Sequence, residues 1–441
     1  MSTFIIAIIL FAITYVLLFS LPKYKHWIAL GSAIIFSLWL SLICNGVSFT
    51  FKDIISAIDF NVLLMIAGTM GIVVLFIESK MPMKIADILL SKLKNVKWAI
   101  VVMALLSGVV SAFIDNVATV LMIAPIALAV CKKQNISPVA PIISISISSN
   151  LQGAATLVGD TTSILLGGYA NMNFFDFFVF NGKPGIFFAV EIGALLTAMI
   201  LLVIFRKQTQ PLKLTDKTEV KDYTPTILML GIIIALILAS FIKEPESGFW
   251  ATIYNLRNGL ICATLLVVGI IINIIKTKKL TMTKQIFKEI DYRTLLLLAS
   301  LFVVISGITN AGVIVKLAEL LVDLGGSNLF LMYTIIVLAS VLISAFVDNI
   351  PYVLTMLPVV SGVASTMGAD PYVLYFGLLI GATLGGNITP IGASANITGI
   401  GILRKEGYEV KAKDFMKISV PFTLVAVLSG SVFIWLFYGI L

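Results

Sequence analysis

One short pattern occurs twice in this chain of 441 residues, and the distance between its copies constrains everything between them. Ser-Ala-Phe-Ile-Asp-Asn stands at residues 111–116, and Ser-Ala-Phe-Val-Asp-Asn follows at residues 344–349, an offset of 233 positions. The same offset aligns the Gly- and Thr-rich stretch 151–164 with 384–397 without an insertion. Two separate stretches that repeat in one register indicate an internal duplication.

Composition predicts that the duplicated chain lies in a membrane. It is 59% hydrophobic and 12% charged, whereas soluble domains carry about 25% charged residues. The first apolar run has no basic leader and no cleavage site, so we expect a membrane span there and not a removed signal peptide. Apolar runs of spanning length occur at about 3–21, 27–45, 60–78, 186–205, 225–242, 257–275, 292–310 and 418–440.

Each half also contains a region that does not fit a simple span. The stretch from about residue 98 to 131 has two apolar arms with an Asp-Asn pair between them. The stretch from about residue 328 to 364 repeats this arrangement. Two full spans with a turn need more than about 40 residues, so we expect a re-entrant helical hairpin in each half. Two short, tilted spans with the Asp-Asn pair in a turn are the alternative.

A second unusual region follows each hairpin. Residues of about 138–170 and about 371–402 interrupt their apolar runs with several Gly, Thr and Asn residues. This composition is typical of a helix broken at membrane depth, with its backbone groups turned toward a cavity.

These elements predict an all-α polytopic membrane protein built from two repeats of five spans, each with a re-entrant hairpin and a broken helix. Because five is an odd number, the second repeat is expected to have inverted topology relative to the first. The expected divisions are residues 1–205 for the first repeat, 206–223 for a polar cytoplasmic linker and 224–441 for the second repeat.

Loop charge supports this topology. One side of the membrane receives 25 of the 30 Lys and Arg residues, in the loops 22–25, 79–97, 131–137, 206–223, 276–293 and 403–417. The positive-inside rule makes that side cytoplasmic. We therefore expect a protein integral to the cell membrane with both termini outside.

The Asp-Asn pairs are the strongest candidates for function. A charged side chain inside a membrane segment costs about 3 kcal/mol, which singles out Asp115 and Asp348. Together with Asn116 and Asn349 they offer carboxylate and amide oxygens, which suit Na⁺ or a proton carried on the Asp itself. The alternative is that each Asp only caps the helix that follows it.

Asp160 has no acidic counterpart in the second copy, so the two half-sites would be chemically unequal. Its alternative role is to cap the short helix that follows it. Asp59 and Asp291 stand at the starts of matching spans, where helix capping at the membrane surface accounts for both.

The other candidates for the substrate and ion site are hydroxyl, amide and glycine residues of the two broken helices. They are Ser149, Asn150, Gly153, Thr156, Gly159, Thr161 and Thr162 in the first, and Thr383, Gly386, Asn387, Thr389, Gly392, Ser394 and Asn396 in the second. For Thr156 and Thr389 the alternative is a hydrogen bond to a nearby carbonyl within the break.

Several classes of function are excluded. The sequence has no metal-ligand cluster, nucleotide-binding loop or nucleophile–base pair, so we expect neither an enzyme nor a cofactor beyond Na⁺ or H⁺ as coupling ion. The net charge of +8 is spread over short loops and forms no basic stripe for nucleic acid. The expected partners are membrane lipid and a small-ion substrate.

The chain resembles the ion transporter superfamily, in the branch of arsenite efflux permeases, D-type sodium–proton antiporters and the pink-eyed dilution protein; it is also similar to citrate-transporter-like permeases. The resemblance covers nearly the whole chain, and four motifs in order carry it, at residues 113–117, 150–160, 346–351 and 381–396. It implies a homodimer of two inverted repeats, with substrate bound between hairpin tips and broken helices and carried by an elevator-like movement. Many relatives have Gly-Asp-Pro-Pro-Asn in the first break, where this chain has Gly-Asp-Thr-Thr-Ser at residues 159–163.

The function expected is secondary active transport of a small ion, coupled to Na⁺ or H⁺ through Asp115 and Asp348. Efflux of an inorganic oxyanion or metalloid, or sodium–proton exchange, is favoured over citrate or dicarboxylate uptake, because the cavity is expected to have no Lys or Arg in its wall. A passive ion channel and a non-transporting scaffold or sensor are the alternatives from other classes.

Overall fold

The computed structural model describes residues 3–42, 49–212, 218–326 and 328–440. The first half contains helices α1 Thr3–Ser20, α2 Lys25–Leu42, α3 Phe51–Ala57, α4 Phe60–Glu78, α5 Met81–Leu90, α6 Val96–Ser111, α7 Asn116–Lys133, α8 Val139–Gly153, α9 Thr161–Tyr169 and α10 Ile186–Ile204. A short 3-10 turn at Pro22–Tyr24 precedes α2, and another at Phe175–Phe177 precedes the antiparallel strands β1 Val179–Phe180 and β2 Lys183–Pro184.

The second half is also helical. It contains α11 Thr224–Ala239, α12 Phe249–Asn255, α13 Arg257–Thr277, α14 Thr281–Glu289, α15 Tyr292–Asn310, α16 Val313–Gly325, α17 Leu329–Ser344, α18 Asn349–Met367, α19 Pro371–Gly385, α20 Ser394–Lys405 and α21 Ala412–Ile434, which continues as a π-helix over Trp435–Ile440.

The all-α membrane fold expected from the sequence is confirmed. The eight predicted spans fall on the helices α1, α2, α4, α10, α11, α13, α15 and α21. Of these, α1 and α2 form a pair bent by 110°, and α11 is shorter than a full span. Within the described residues, seven helices are individually long and apolar enough to cross a membrane, and two of them are the second hairpin arms α7 and α18. Residues 43–45 of the second predicted span and 213–217 of the predicted linker lie outside the described residues.

The duplication is visible in the order and the boundaries of the helices. In each half two helices flank the Asp-Asn pair, α6 and α7 in the first and α17 and α18 in the second. The break between α8 and α9 matches the break between α19 and α20, and the offset of 233 places Thr161 on Ser394, the first residue of each following helix. The inverted orientation of the two copies and their re-entrant depth stay predictions.

The two halves interlock instead of packing as separate bodies. Helix α2 of the first half packs on α15 of the second, and α13 of the second half packs on α4 of the first. The short helix after each break also packs on the opposite half: α9 packs on α18, and α20 packs on α7. Each half therefore completes the surroundings of the other half's hairpin.

A glycine in each break allows the chain to lie directly against the tip of its hairpin. A Cβ at Gly159 would stand 2.7 Å from the carbonyl oxygen of Ala112, and one at Gly392 would stand 2.8 Å from that of Ala345. Next to each glycine, the hydroxyls of Thr156 and Thr389 donate hydrogen bonds to these same carbonyls. The acceptors belong to the hairpin tips and not to the break, so the alternative considered for these two threonines is wrong in its acceptor.

A buried asparagine connects the broken helices of the two halves. The Asn150 amide nitrogen donates to the Thr383 carbonyl at 2.7 Å and to the Asn387 side-chain oxygen at 3.1 Å. Asn387 in turn donates to the carbonyl of Ile147 at 2.9 Å. Asn150 and Thr383 are equivalent positions in the repeat, so the two copies meet at matching points of their sequences.

Gly392→Ala is expected to destabilise the protein. The added methyl would overlap backbone oxygens of Gly386, Ala345 and Ser344 within 2.9 Å, and overpacking of this kind costs roughly 1–3 kcal/mol. Thermal unfolding of the purified variant in detergent measures the loss. Gly401→Ala is the matched control, because a Cβ at Gly401 meets nothing within 4 Å; equal melting temperatures for the two variants would contradict the packing described here.

Asn150→Ala is expected to lower the melting temperature because it strands buried polar partners in both halves. Each unsatisfied buried group costs about 1–3 kcal/mol, and Asn150 contacts three partners. Asn310→Ala, at the exposed end of α15, is the control and is expected to melt like the unsubstituted protein. A variant at Asn150 as stable as the control would show that the bridge between the halves contributes nothing.

Candidate functional site

Each repeated aspartate begins the second arm of its hairpin. The Asp115 carboxylate accepts hydrogen bonds from the backbone N–H groups of Val117 and Ala118 at 3.0 and 3.2 Å. Asp348 accepts one from the N–H of Ile350 at 3.2 Å. Both residues therefore cap a helix, as the alternative required, and both also line cavities, so capping does not account for the whole of their surroundings.

The first of these cavities, here called the acidic cavity, has a volume of about 200 Å³. Asp115, Asp160 and Asp291 line it, together with Glu289. Among the described residues that form its wall there is no Lys, Arg or His. The predicted site residues that it brings together are Asp115, Asn116, Asp160, Thr161, Asn349 and Ser394.

The second cavity, here called the lysine cavity, is larger, at about 640 Å³. Asp348, Gly392 and Ser394 contribute to its wall, which is otherwise mostly apolar. Lys25 also lies in this wall, and its ammonium is 2.6 Å from the Asp348 carboxylate. The expectation of a cavity without Lys or Arg is therefore wrong, because a residue assigned to a cytoplasmic loop starts α2 beside the hairpin tip.

Asp160 caps α9 and also lines the acidic cavity. One carboxylate oxygen accepts from the backbone N–H of Thr161 at 2.7 Å and so caps α9. The other accepts from the hydroxyl of Thr162 at 3.1 Å, and that hydroxyl is 2.9 Å from the hydroxyl of Thr383. In the second half the equivalent cap position is Ala393, which gives α20 no side-chain cap. The two half-sites are unequal, as the sequence predicted.

The two hairpin asparagines are also unequal. The Asn116 amide donates to the side-chain oxygen of Asn150 at 3.0 Å, and its backbone carbonyl accepts from Ser149 at 3.0 Å. Asn349 is 95% buried and lines the acidic cavity, yet its side chain makes no hydrogen bond to any described residue. Its amide is therefore free to bind a ligand that enters the cavity.

The other predicted site residues lie behind the cavity walls. Asn396 donates to the carbonyls of Gly386 and Thr389 at 3.0 and 3.1 Å. Its counterpart Ser163 donates to the carbonyl of Gly153 at 3.4 Å, the same position in the first break. Eleven predicted site residues line neither cavity and instead belong to the two helix breaks and the helices that flank them. They are Ser149, Asn150, Gly153, Thr156, Gly159, Thr162, Thr383, Gly386, Asn387, Thr389 and Asn396.

Four ionisable residues that sequence reasoning did not place at the site line the two cavities, Tyr15, Lys25, Asp291 and Glu289. Lys25 and Tyr15 line the lysine cavity, where the Tyr15 hydroxyl donates to the carbonyl of Pro351 at 2.9 Å. Asp291 caps α15, as expected, but it also lines the acidic cavity beside Asp115. The repeat gave no signal for Lys25, because the offset of 233 aligns it with Asn258.

The described residues contain no group of three or more His, Cys, Asp or Glu side chains arranged to hold a metal ion. A bound Na⁺ would therefore draw on amide, hydroxyl and backbone oxygens together with one carboxylate. Asp115, Asn349, Thr161 and Ser394 supply that mixture around the acidic cavity.

Comparison with known proteins shows which proteins the chain is similar to. The chain is 29% identical to an uncharacterized transporter of Mycobacterium tuberculosis over 442 residues, which covers 99% of each protein. It is 25% identical to the human P protein over 455 residues, covering 86% of this chain and 53% of the P protein. The resemblance to the branch that contains the P protein is thereby confirmed.

The fold is similar to the crystal structure of the YdaH transporter of Alcanivorax borkumensis. The TM-score is 0.58 at 13% sequence identity, over 93% of this chain and 96% of that protein. Residues 6–381 match the family described as citrate transporter, and the relatives are transporters and not enzymes. This chain is a membrane-integral transporter that belongs to the citrate transporter family.

Proposed function

We propose that the protein is a secondary active transporter of a small ion, coupled to Na⁺ or H⁺, and that Asp115 carries the coupling cation. The observation that supports this best is the acidic cavity, where Asp115 meets further carboxylates and no described basic side chain. A charged carboxylate inside a membrane requires a compensating cation. A cation taken from solution supplies that compensation and links its movement to that of the substrate.

The substrate in this proposal meets the cation near the start of α20. Ser394, its first residue, lines both cavities, so the acidic and lysine cavities adjoin there. The N-terminal N–H groups of α20 have no side-chain cap, and free N–H groups at a helix start attract anions. Efflux of an inorganic oxyanion or metalloid fits such a site. In the other form of this proposal, sodium–proton exchange, the transported substrates are the cations themselves.

Uptake of citrate or a dicarboxylate is the second candidate, and Lys25 favours it. The sequence predicted a cavity without basic residues, which would disfavour a carboxylate substrate. The structure instead has the Lys25 ammonium in the wall of the lysine cavity. The family name points the same way. The start of α20 would balance part of the charge of a carboxylate substrate, and the Lys25 ammonium, while paired with Asp348, would donate a further N–H to it.

The proposal includes the orientation of the protein in the membrane and its oligomeric state. Both termini lie outside the cell, with the lysine-rich loops in the cytoplasm. The protein works as a homodimer in which hairpins and broken helices move together against the other helices. A passive channel is the rival function, and it gives no reason for two unequal half-sites in equivalent positions.

Asp115→Asn is expected to abolish coupled transport while the helix cap is kept, because Asn caps a helix about as well as Asp. Purified protein is reconstituted in liposomes that contain a pH dye, and Na⁺, arsenite and citrate gradients are imposed in turn. A proton flux driven by one of these ions and reduced at least about tenfold in the variant is expected, since the variant lacks the charge that the cation compensates.

Asp370→Asn is the matched control, because Asp370 caps α19 in an exposed position through the N–H of Tyr372. It is expected to transport like the unsubstituted protein. Undiminished coupled flux in Asp115→Asn would contradict the role proposed for this carboxylate.

A further inference from the structure

The two repeated aspartates differ in their counter-ions. The Lys25 ammonium lies 2.6 Å from the Asp348 carboxylate, although the two residues are 323 positions apart in the sequence. Each side chain is about one-quarter exposed, at 26% and 27%. The pair forms part of the wall of the lysine cavity, so it stands where an ion at the second half-site would stand.

The first half-site has no such pair. Asp115 accepts only backbone N–H groups, from Val117 and Ala118, in the part of the chain that the structure describes. Acidic side chains surround it, and the described wall of its cavity includes no basic residue. No basic side chain of this wall balances its charge, so we infer that a cation from solution or a proton does.

The offset of 233 aligns Lys25 with Asn258, and the neighbouring cation Arg257 is engaged elsewhere. Arg257 begins α13, which packs on α4, as Lys25 begins α2, which packs on α15. The Arg257 guanidinium lies 3.8 Å from the centre of the Tyr254 ring, and one of its nitrogens donates to the Tyr254 carbonyl at 2.9 Å. Helices α2 and α13 thus both begin with a basic residue, and of these two cations only Lys25 pairs with a hairpin aspartate.

We propose that Lys25 is a built-in cation that fills the second half-site, so that a cation from solution is loaded only at the first. This rests on the proposed coupling at Asp115 and adds its stoichiometry. An ammonium at hydrogen-bond distance satisfies a carboxylate much as a bound Na⁺ would. With Lys25 in place, Asp348 needs no ion from solution, and one cation accompanies each transport cycle.

The test removes the built-in charge and asks whether Na⁺ replaces it. Melting temperatures of purified Lys25→Gln and of the unsubstituted protein are measured as Na⁺ replaces N-methylglucamine at constant ionic strength and pH. An added Na⁺ site is expected to make the rise of the melting temperature with the logarithm of Na⁺ concentration about twofold steeper, since stabilisation follows the number of ligands bound. Lys23→Gln, two residues away, is the control and should keep the original slope.

Two further variants separate this role from simple packing. Lys25→Arg keeps the charge and should keep the original slope. Lys25→Gln combined with Asp348→Asn leaves no unpaired charge, so it should fold readily and lose the extra Na⁺ response. An unchanged slope in Lys25→Gln, or a steep slope that survives in the double variant, would overturn the assignment of Lys25.

The same titration distinguishes this inference from the function on which it rests. Asp115→Asn is expected to lose the Na⁺ response of the unsubstituted protein. If that variant keeps the response while Lys25→Gln gains an Asp348-dependent one, the coupling role of Asp115 fails and the role of Lys25 as a built-in cation is supported.

Discussion

The contact between each helix break and the tip of its own hairpin is the constraint on which the site depends. A helix that stops inside a membrane leaves backbone groups without partners, and no water is available there to satisfy them. The glycine and threonine of each break lie against the hairpin tip, Gly159 and Thr156 in the first half, Gly392 and Thr389 in the second. This contact holds each hairpin aspartate beside the start of a short helix, whose N–H groups favour negative charge.

Each hairpin tip together with its helix break is here called a frame. The duplication gives two frames with matching contacts, and substitutions have made their chemistry different. The first frame has Asp160 as the cap of α9, whereas the second has Ala393 before α20. The second frame has Lys25 against Asp348, whereas Asp115 lacks a cationic partner among the described residues. The first half-site therefore has acidic side chains without a described cation and the second has an ion pair, and the proposed coupling depends on this difference.

Much of this arrangement could be predicted from the sequence because the duplication leaves a pattern that needs no structure to detect. The offset of 233 predicted the position of each hairpin, each break and both repeated aspartates. Contacts between the halves were not accessible in the same way. Lys25 was assigned to orientation alone, since its distance from Asp348 in the chain hides their proximity. Asp291 was assigned to capping alone, because a capping residue and a cavity residue look identical in sequence.

The central claim, that substrate moves only with a cation, is tested most directly by uphill transport. Proteoliposomes are prepared with equal radiolabelled citrate inside and outside, and in parallel with equal arsenite, and a Na⁺ or proton gradient is then imposed. One of these substrates is expected to accumulate against its own gradient. This accumulation should collapse when an ionophore dissipates the cation gradient. A substrate that crosses the membrane but only equilibrates, whatever the cation gradient, would contradict the central claim and identify a passive channel.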